Sequence, residues 1–211
     1  MRGYSFIDKV LMQVDAALNT ILGSQFSSRS NPADGIVDGE LSAADKRQSQ
    51  GFMRVNHTGE VCAQALYRGQ LLFAEDNNTT AMLQQAAIEE TDHLAWTHQR
   101  LQELNTHRSY LNFFWYINSF CMGMLAAKCG DRWSLGFVEE TEKQVSDHLT
   151  DHLKNLSPQD LRSHAIIKQM RVDEEHHGAQ AQQAGATKLP SVVKTLMSCH
   201  AAMMKKLAYS I

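Results

Sequence analysis

Apolar residues recur every three to four positions along most of this chain, and at several of these positions a glutamate or a histidine stands where hydrocarbon is expected. Such a stripe describes amphipathic helices whose inner faces carry chemistry as well as packing. Residues 3–22 set Phe6, Val10, Val14, Ala17, Leu18 and Ile21 on roughly one face, with Gly23 as a stop, which predicts a first helix lying outside the main core. Residues 24–39 are rich in Ser, Gly, Asn and Asp and read as a surface linker whose removal should spare any chemistry. Ser42 followed by Asp45 resembles a capping box and opens a helix over about 43–75, with Met53, Asn56, Glu60, Ala63, Tyr67 and Leu71 inward. After a turn at residues 76–80, a second long helix to about residue 104 turns Leu83, Ala86, Ala87, Glu90, His93, Leu94 and Leu101 inward.

Residues 109–127 carry no charge and are long enough to span a bilayer. Asn112, Asn118, Ser119 and Gly123 dilute the run, and the mean hydropathy of the whole chain is -0.35. A core helix is therefore expected. Its outer face, with Phe113, Phe114, Trp115, Phe120, Met122 and Met124 available, either meets an apolar partner or is simply buried. Cys129-Gly130-Asp131 breaks that helix, and Asp131 is expected to cap the next, which runs to about 155. Val138, Val145 and Leu149 define a stripe there that takes in Glu142 and leaves out Glu139 and Glu140. Ser157-Pro158 has the form of an N-cap followed by proline at the first helical position. The helix it opens aligns Ile167, Met170, Glu174, His177 and Ala181, and ends near Gly185. A last helix, over about 190–209, mixes aliphatic residues and Met with lysine, and residues 186–211 hold four Lys and no acid. It reads as an amphipathic helix on an anionic membrane surface, or as an ordinary basic outer helix.

The pattern is all-α: a helix and linker within residues 1–40, then a four-helix bundle with a C-terminal amphipathic helix over 41–211. A length of 211 residues suits one such core. The net charge of -3, without a basic run, argues against nucleic acid as a partner. Cys62, Cys121, Cys129 and Cys199 form no Cys-x-x-Cys pair, so neither a zinc knuckle nor a dithiol site is expected, and a reducing compartment fits. Asp8, Lys9 and Asp15 interrupt the apolar run that a signal peptide requires, and the two acids also argue against a mitochondrial presequence.

The polar intruders form an internal repeat: Glu60 then Glu90-x-x-His93, and Glu142 then Glu174-x-x-His177. Glu and His three apart on a helix converge on one metal ion, as in carboxylate-bridged di-metal bundles. Glu89 competes with Glu90, but its third neighbour is Asp92, and only Glu90 has the histidine. At a rise of about 1.5 Å per residue, Glu60 and Glu90 stand nearly level across the first turn, as do Glu142 and Glu174 across the second. Four buried carboxylates repel one another, and two divalent ions supply the compensating charge. Oxygen and imidazole donors without thiolate suit iron or manganese, and iron also brings O₂ chemistry. His148 and His152 lack the glutamate of a zinc-type His-Glu-x-x-His motif, which makes His148 an outer partner of the ligands.

The arrangement resembles the ferritin-like di-iron carboxylate proteins. Four pieces resemble one family closely, the demethoxyubiquinone hydroxylases of ubiquinone biosynthesis: Asn56-His57-Thr58-Gly59-Glu60, Glu89-Glu90-Thr91-Asp92-His93, Gly136-Phe137-Val138-Glu139-Glu140-Thr141-Glu142 through His148, and Asp173-Glu174-Glu175-His176-His177. The resemblance covers about residues 50–211. It implies two iron ions per chain held by Glu60, Glu90, His93, Glu142, Glu174 and His177, with His148 handling protons and Tyr209 on the substrate side. Where some members carry Tyr after the His148 equivalent, Leu149 stands here. The implied reaction is a monooxygenation: one oxygen of O₂ enters the ring of a polyprenylated demethoxyquinol and the other leaves as water. An electron donor is then required, with NADH a candidate. Also implied are a membrane surface, other proteins of ubiquinone biosynthesis or further copies of the chain as partners, and a place on the cytoplasmic face of the cell membrane or the matrix side of the mitochondrial inner membrane. The rival readings are an iron-storage or peroxide-scavenging protein with the same ligands, and a quinone or lipid carrier whose metal is structural.

Overall fold

The computed structural model describes residues 6–23 and 26–211. Among the described residues there are seven helices and no strand: α1 (Phe6–Leu22), α2 (Ala43–Leu71), α3 (Asn77–Glu103), α4 (Asn112–Lys128), α5 (Asp131–Asn155), α6 (Leu161–Gln183) and α7 (Ser191–Ser210). The all-α expectation holds. The expected start of the first helix at residue 3, the inward placing of the Phe6 and Val10 side chains, and Ser24 and Gln25 of the linker lie outside the described residues and side chains.

α2 packs along α3 and α4, α5 along α6, and α3 meets α6, so α2, α3, α5 and α6 surround one interior. α4 lies against α2 and α5, and α7 returns over the same two helices. The interior has two apolar layers. One gathers Met53, Trp96, Leu101, Leu149, Ile166, Ile167 and Met170, and the other Tyr67, Leu83, Leu135, Val138 and Ala181. Each large aliphatic side chain fully buried in them stabilises the fold by about 1.5–3 kcal/mol. All four bundle helices pass from one layer to the other, and the repeated glutamates and histidines occupy the stretch between.

Helix ends follow tertiary partners as much as local signals. The Ser42 capping box forms as expected, with Asp45 N donating to Ser42 Oγ at 3.1 Å and Ser42 N to Asp45 Oδ2 at 3.3 Å. α2 stops at Leu71, short of the expected 75. Asp131 does not cap α5: its carboxylate accepts from Glu75 N and Asp76 N, at 2.6 Å for the latter, and so fastens the α2–α3 connection. α6 begins at Leu161 under Asp160, and Ser157-Pro158 forms only a turn ahead of it. Asp160 prevails because its carboxylate accepts from Ser163 N at 3.0 Å while also taking the buried Arg100 guanidinium at 2.7 Å.

The linker reading is corrected most. Residues 26–42 are irregular, but they fold back as a strap on α3 and α6. Ala33 is fully buried in the first apolar layer, and Asp38 accepts from Arg100 Nη2 at 2.7 Å and Arg162 N at 3.0 Å. Ser27, Ser28, Arg29 and Asp38 serve as partners for the buried Asp92 and Arg100, while Ser30, Asp34 and Glu40 stay exposed. On α1, Ile21 is buried and Ala17 packs beside it, whereas Val14 and Leu18 are half exposed. On α4, Trp115 is buried against Val55, Met204 and Ala208, and Phe120 packs by Ile21, so neither belongs to an outer face. Phe113, Phe114, Ile117 and Leu125 are the exposed apolar residues there. Among the described residues no helix is long and apolar enough to cross a membrane. Gly69 and Gly123 let α2 and α4 touch through their backbones: a Cβ on Gly123 would overlap the Leu66 carbonyl oxygen, and one on Gly69 that of Phe120.

Candidate metal centre

Glu60 of α2, Glu90 and His93 of α3, Glu142 of α5, and Glu174 and His177 of α6 meet in the polar layer, each no more than 2% exposed. Their donor atoms form two quartets, Glu60–Glu90–His93–Glu174 and Glu90–Glu142–Glu174–His177, each gathered within 4.8 Å. Glu90 and Glu174 belong to both. His93 Nδ1 stands 3.1 Å from Glu90, 3.3 Å from Glu174 and 3.4 Å from Glu60. His177 Nδ1 stands 3.4 Å from both Glu90 and Glu174. Both imidazoles thus present the same nitrogen to the centre.

The electrostatics ask for cations. Burial first, then the charge of Glu90, pushes Glu60 well above the ordinary carboxylate range, and burial with Glu174 does the same to Glu142. Burial would also raise Glu90 and Glu174, but the two imidazoles beside them, together with Glu60 in the case of Glu90, hold both below that range. Burial lowers His177, yet Glu174 and Glu90 carry it to about 12. Glu60 Oε2, Glu90 Oε1, Glu174 Oε2 and His177 Nδ1 are buried and make no hydrogen bond among the described residues. Buried polar atoms that converge and are left without a hydrogen-bond partner fit a metal ion, and two shared carboxylates fit a pair of them.

Around this set stand residues whose roles the periodicity does not reveal. His93 Nε2 meets Asp173 Oδ2 at 2.9 Å, and His177 Nε2 meets Glu89 Oε2 at 2.9 Å. Each acid immediately precedes the glutamate of the opposite Glu-x-x-His, and that repeated acid is the signal that could have marked both. Such contacts fix the outward nitrogen as the proton-bearing one and leave the inward nitrogen free to bind. Glu89, set aside as a competing ligand, holds a ligand from outside. The Tyr67 hydroxyl donates to Glu142 Oε1, and burial, followed by the Glu142 charge, keeps this phenol protonated.

Next to the centre lies an apolar cavity of about 110 Å³ between α2, α4, α5 and α7. Gly59 and Thr141, which precede Glu60 and Glu142, line it along with Cys62, Phe137, Met197 and Met204. A Cβ on Gly59 would meet nothing within 4 Å. His148 lines this cavity too, and no hydrogen bond joins it to any of the six clustered side chains. Burial first, then His152 and Lys205, lowers His148 to about 3, so it is neutral at pH 7 with its Nε2 unpartnered among the described residues. Tyr209 does not line the cavity. Its ring lies edge-on to Phe52 at 5.9 Å, Phe52 stacks on His152 at 4.1 Å, and His152 meets His148 at 5.1 Å.

A four-helix interior with one Glu and one Glu-x-x-His from each half defines the ferritin-like class of bundle proteins. Within that class, residues 47–208 match the family described as ubiquinone biosynthesis protein COQ7, and the chain belongs to this family. It is 53% identical over 210 residues to a 3-demethoxyubiquinol 3-hydroxylase of Coxiella burnetii, covering 100% of this chain and 98% of the relative. Proteins of the same name from Polynucleobacter asymbioticus and Herbaspirillum seropedicae are 50% and 49% identical, each over 98% of this chain and 100% and 99% of their own length.

Proposed function

We propose that this protein hydroxylates the ring of a polyprenylated demethoxyubiquinol, using O₂ and a pair of iron ions held by Glu60, Glu90, His93, Glu142, Glu174 and His177. The observation that carries the reading is that two quartets sharing Glu90 and Glu174 stand near an apolar cavity lined by Gly59 and Thr141, the residues that precede Glu60 and Glu142. The names of its relatives support the substrate. When bound, the iron pair supplies the site where O₂ is taken up and reduced.

The residues around it hold and orient the quinol. Gly59 leaves room for a ring edge beside Glu60, and Met197 and Met204 give an adaptable wall against a flexible apolar tail. Neutral His148 accepts a hydrogen bond from a ring hydroxyl. A row of rings through His152 and Phe52 runs from His148 to Tyr209, which supports a substrate-side role for Tyr209. Burial raises the Cys62 thiol to about 12, which keeps it inert beside an oxidising centre. Insertion of one oxygen and release of water consume two electrons from a donor such as NADH and two protons, one carried by that donor and one from solvent. A storage protein would have no use for the apolar cavity with its unpaired imidazole.

The substrate resides in a bilayer, and exposed apolar residues on α1 (Leu11, Met12, Val14, Leu18), α4 (Phe113, Phe114, Leu125) and α7 (Val192, Leu196, Met203) support docking to a membrane surface. The lysines of α7 add attraction to anionic lipid. On this reading the protein works on the cytoplasmic face of the cell membrane, or on the matrix side of the mitochondrial inner membrane, near other proteins of the pathway or further copies of itself.

The test is anaerobic loading with iron(II), followed by ¹⁸O₂ and a short-chain demethoxyquinol, with mass spectrometry of the product. One ¹⁸O in the ring is expected. Oxidation of the iron with the quinol returned unchanged would refute the hydroxylase reading.

A further inference from the structure

The strap ahead of α2 ends one of its turns on the metal centre. Arg29 Nε pairs with Asp92 Oδ2 at 2.7 Å, and its Nη1 with Asp173 Oδ2 at 2.9 Å. Asp173 Oδ2 is the same atom that holds His93 Nε2. The guanidinium is itself fixed from several sides. It lies 4.8 Å over the Trp96 ring, whose indole N–H donates to Ser27 Oγ at 3.0 Å. Ser28 N donates to Asp92 Oδ1 at 2.6 Å. Asp173 has a further donor in Gln169 Nε2, on Oδ1 at 2.9 Å.

The opposite half lacks this clamp. Glu89, which holds His177, accepts from Gln85 Nε2 at 2.8 Å, and no cationic side chain other than His177 pairs with it among the described residues. Its side chain is 22% exposed against 11% for Asp173, and it has one more rotatable bond. The two halves therefore share a ligand pattern but not the stiffness of its support.

We infer that Arg29 is a positioning residue which, through Asp173, fixes the orientation of His93, so that the ion bound by Glu60 and His93 is held more tightly than the ion bound by Glu142 and His177. The inference rests on the di-iron reading above. A clamped carboxylate loses little freedom when its imidazole binds metal, and outer partners of this kind typically change metal affinity by about 10–100-fold. The positive charge of Arg29 works against a nearby cation, but Asp92 offsets it at 2.7 Å.

The experiment compares the full chain, Arg29→Gln, Arg29→Lys and Glu89→Gln by anaerobic iron(II) titration against a chelator, with ⁵⁷Fe Mössbauer spectra of the loaded proteins. The unsubstituted chain should take up two ions of unequal affinity. Arg29→Gln should weaken the tighter ion about tenfold or more and alter one of two quadrupole doublets, and Glu89→Gln should alter the other. Arg29→Lys keeps the charge without the fork and should fall between. If Arg29→Gln leaves both ions unchanged, or weakens both equally while lowering the melting temperature of the metal-free chain, the role is not the one assigned. Two ions in the unsubstituted chain with an unaffected Arg29→Gln would refute this inference alone, whereas uptake of fewer than two ions would refute the di-iron reading and this inference with it.

Discussion

His93 and Asp173 meet at 2.9 Å through imidazole Nε2 and carboxylate Oδ2, and the contact ties a residue of one helical hairpin to the other. An asparagine at 173 keeps the shape and loses the charge that makes the imidazole a strong donor. Asp173→Asn is expected to lower iron affinity by about 10-fold or more. Glu175→Gln, one residue beyond Glu174 on a side chain that is 55% exposed, should change nothing. Chelator competition reads both, and equal loss in the two variants would contradict the outer-partner role.

Glu90 and Glu174 are shared by the two quartets, whereas Glu60 and Glu142 each serve one. Glu174→Ala is expected to abolish uptake of both ions, and Glu60→Ala to spare one. Circular dichroism should show the helical content preserved in each, because the apolar layers on either side remain. Two ions retained by Glu174→Ala would overturn the ligand assignment.

The clustered six were legible because a helix repeats every 3.6 residues and the intruding Glu and His kept to that period. The hairpin arithmetic then put them level. What was not legible depends on contacts between residues far apart in the chain. Residues 27–29 look like solvated loop until Asp92 is placed beside them. Ser157-Pro158 carries the stronger local start signal, and Asp160 overrides it because Arg100 is buried within reach. Similarly, Asp131 has the right place to cap α5, but the backbone N–H groups of Glu75 and Asp76 in the α2–α3 connection claim it. His148 was expected against the ligands and instead lines the cavity, a distinction of one helix face that periodicity resolves poorly.

Glycines at two places in the same bundle should respond in opposite ways. Gly123→Ala drives a methyl into the Leu66 carbonyl, and overpacking of this kind costs about 1–3 kcal/mol, readable as a lower urea midpoint. Gly59→Ala has open space and gains about 1 kcal/mol of helix propensity, so it should stabilise the fold. Its methyl enters the cavity, and the expected price is a raised KM for the quinol. A stabilised Gly123→Ala would refute the close crossing of α2 and α4.

His57 provides a pH test away from the ligands. Burial first, then Arg108 and His98, lowers it from 6.5 to about 3 in the folded protein. Between those values the unfolded chain binds a proton that the folded chain refuses, so stability is intact above pH 6.5 and declines as pH falls towards 3. The contribution is about 1.4 kcal/mol per pH unit in that window. Urea unfolding of His57→Gln should show a correspondingly shallower fall from pH 6 to 4. An identical slope in both proteins would mean that His57 titrates normally.

The polar layer between the two apolar ones also acts as an index mark for assembly. Stripes of Leu, Ile and Met tolerate a helix sliding by one turn, about 5.4 Å, because hydrocarbon still meets hydrocarbon. Here the same slip would carry Glu142 towards Leu149, or Glu60 towards Tyr67, and strand a carboxylate in an oily layer. The groups that weaken the core therefore also tell each helix where along its neighbours to stop.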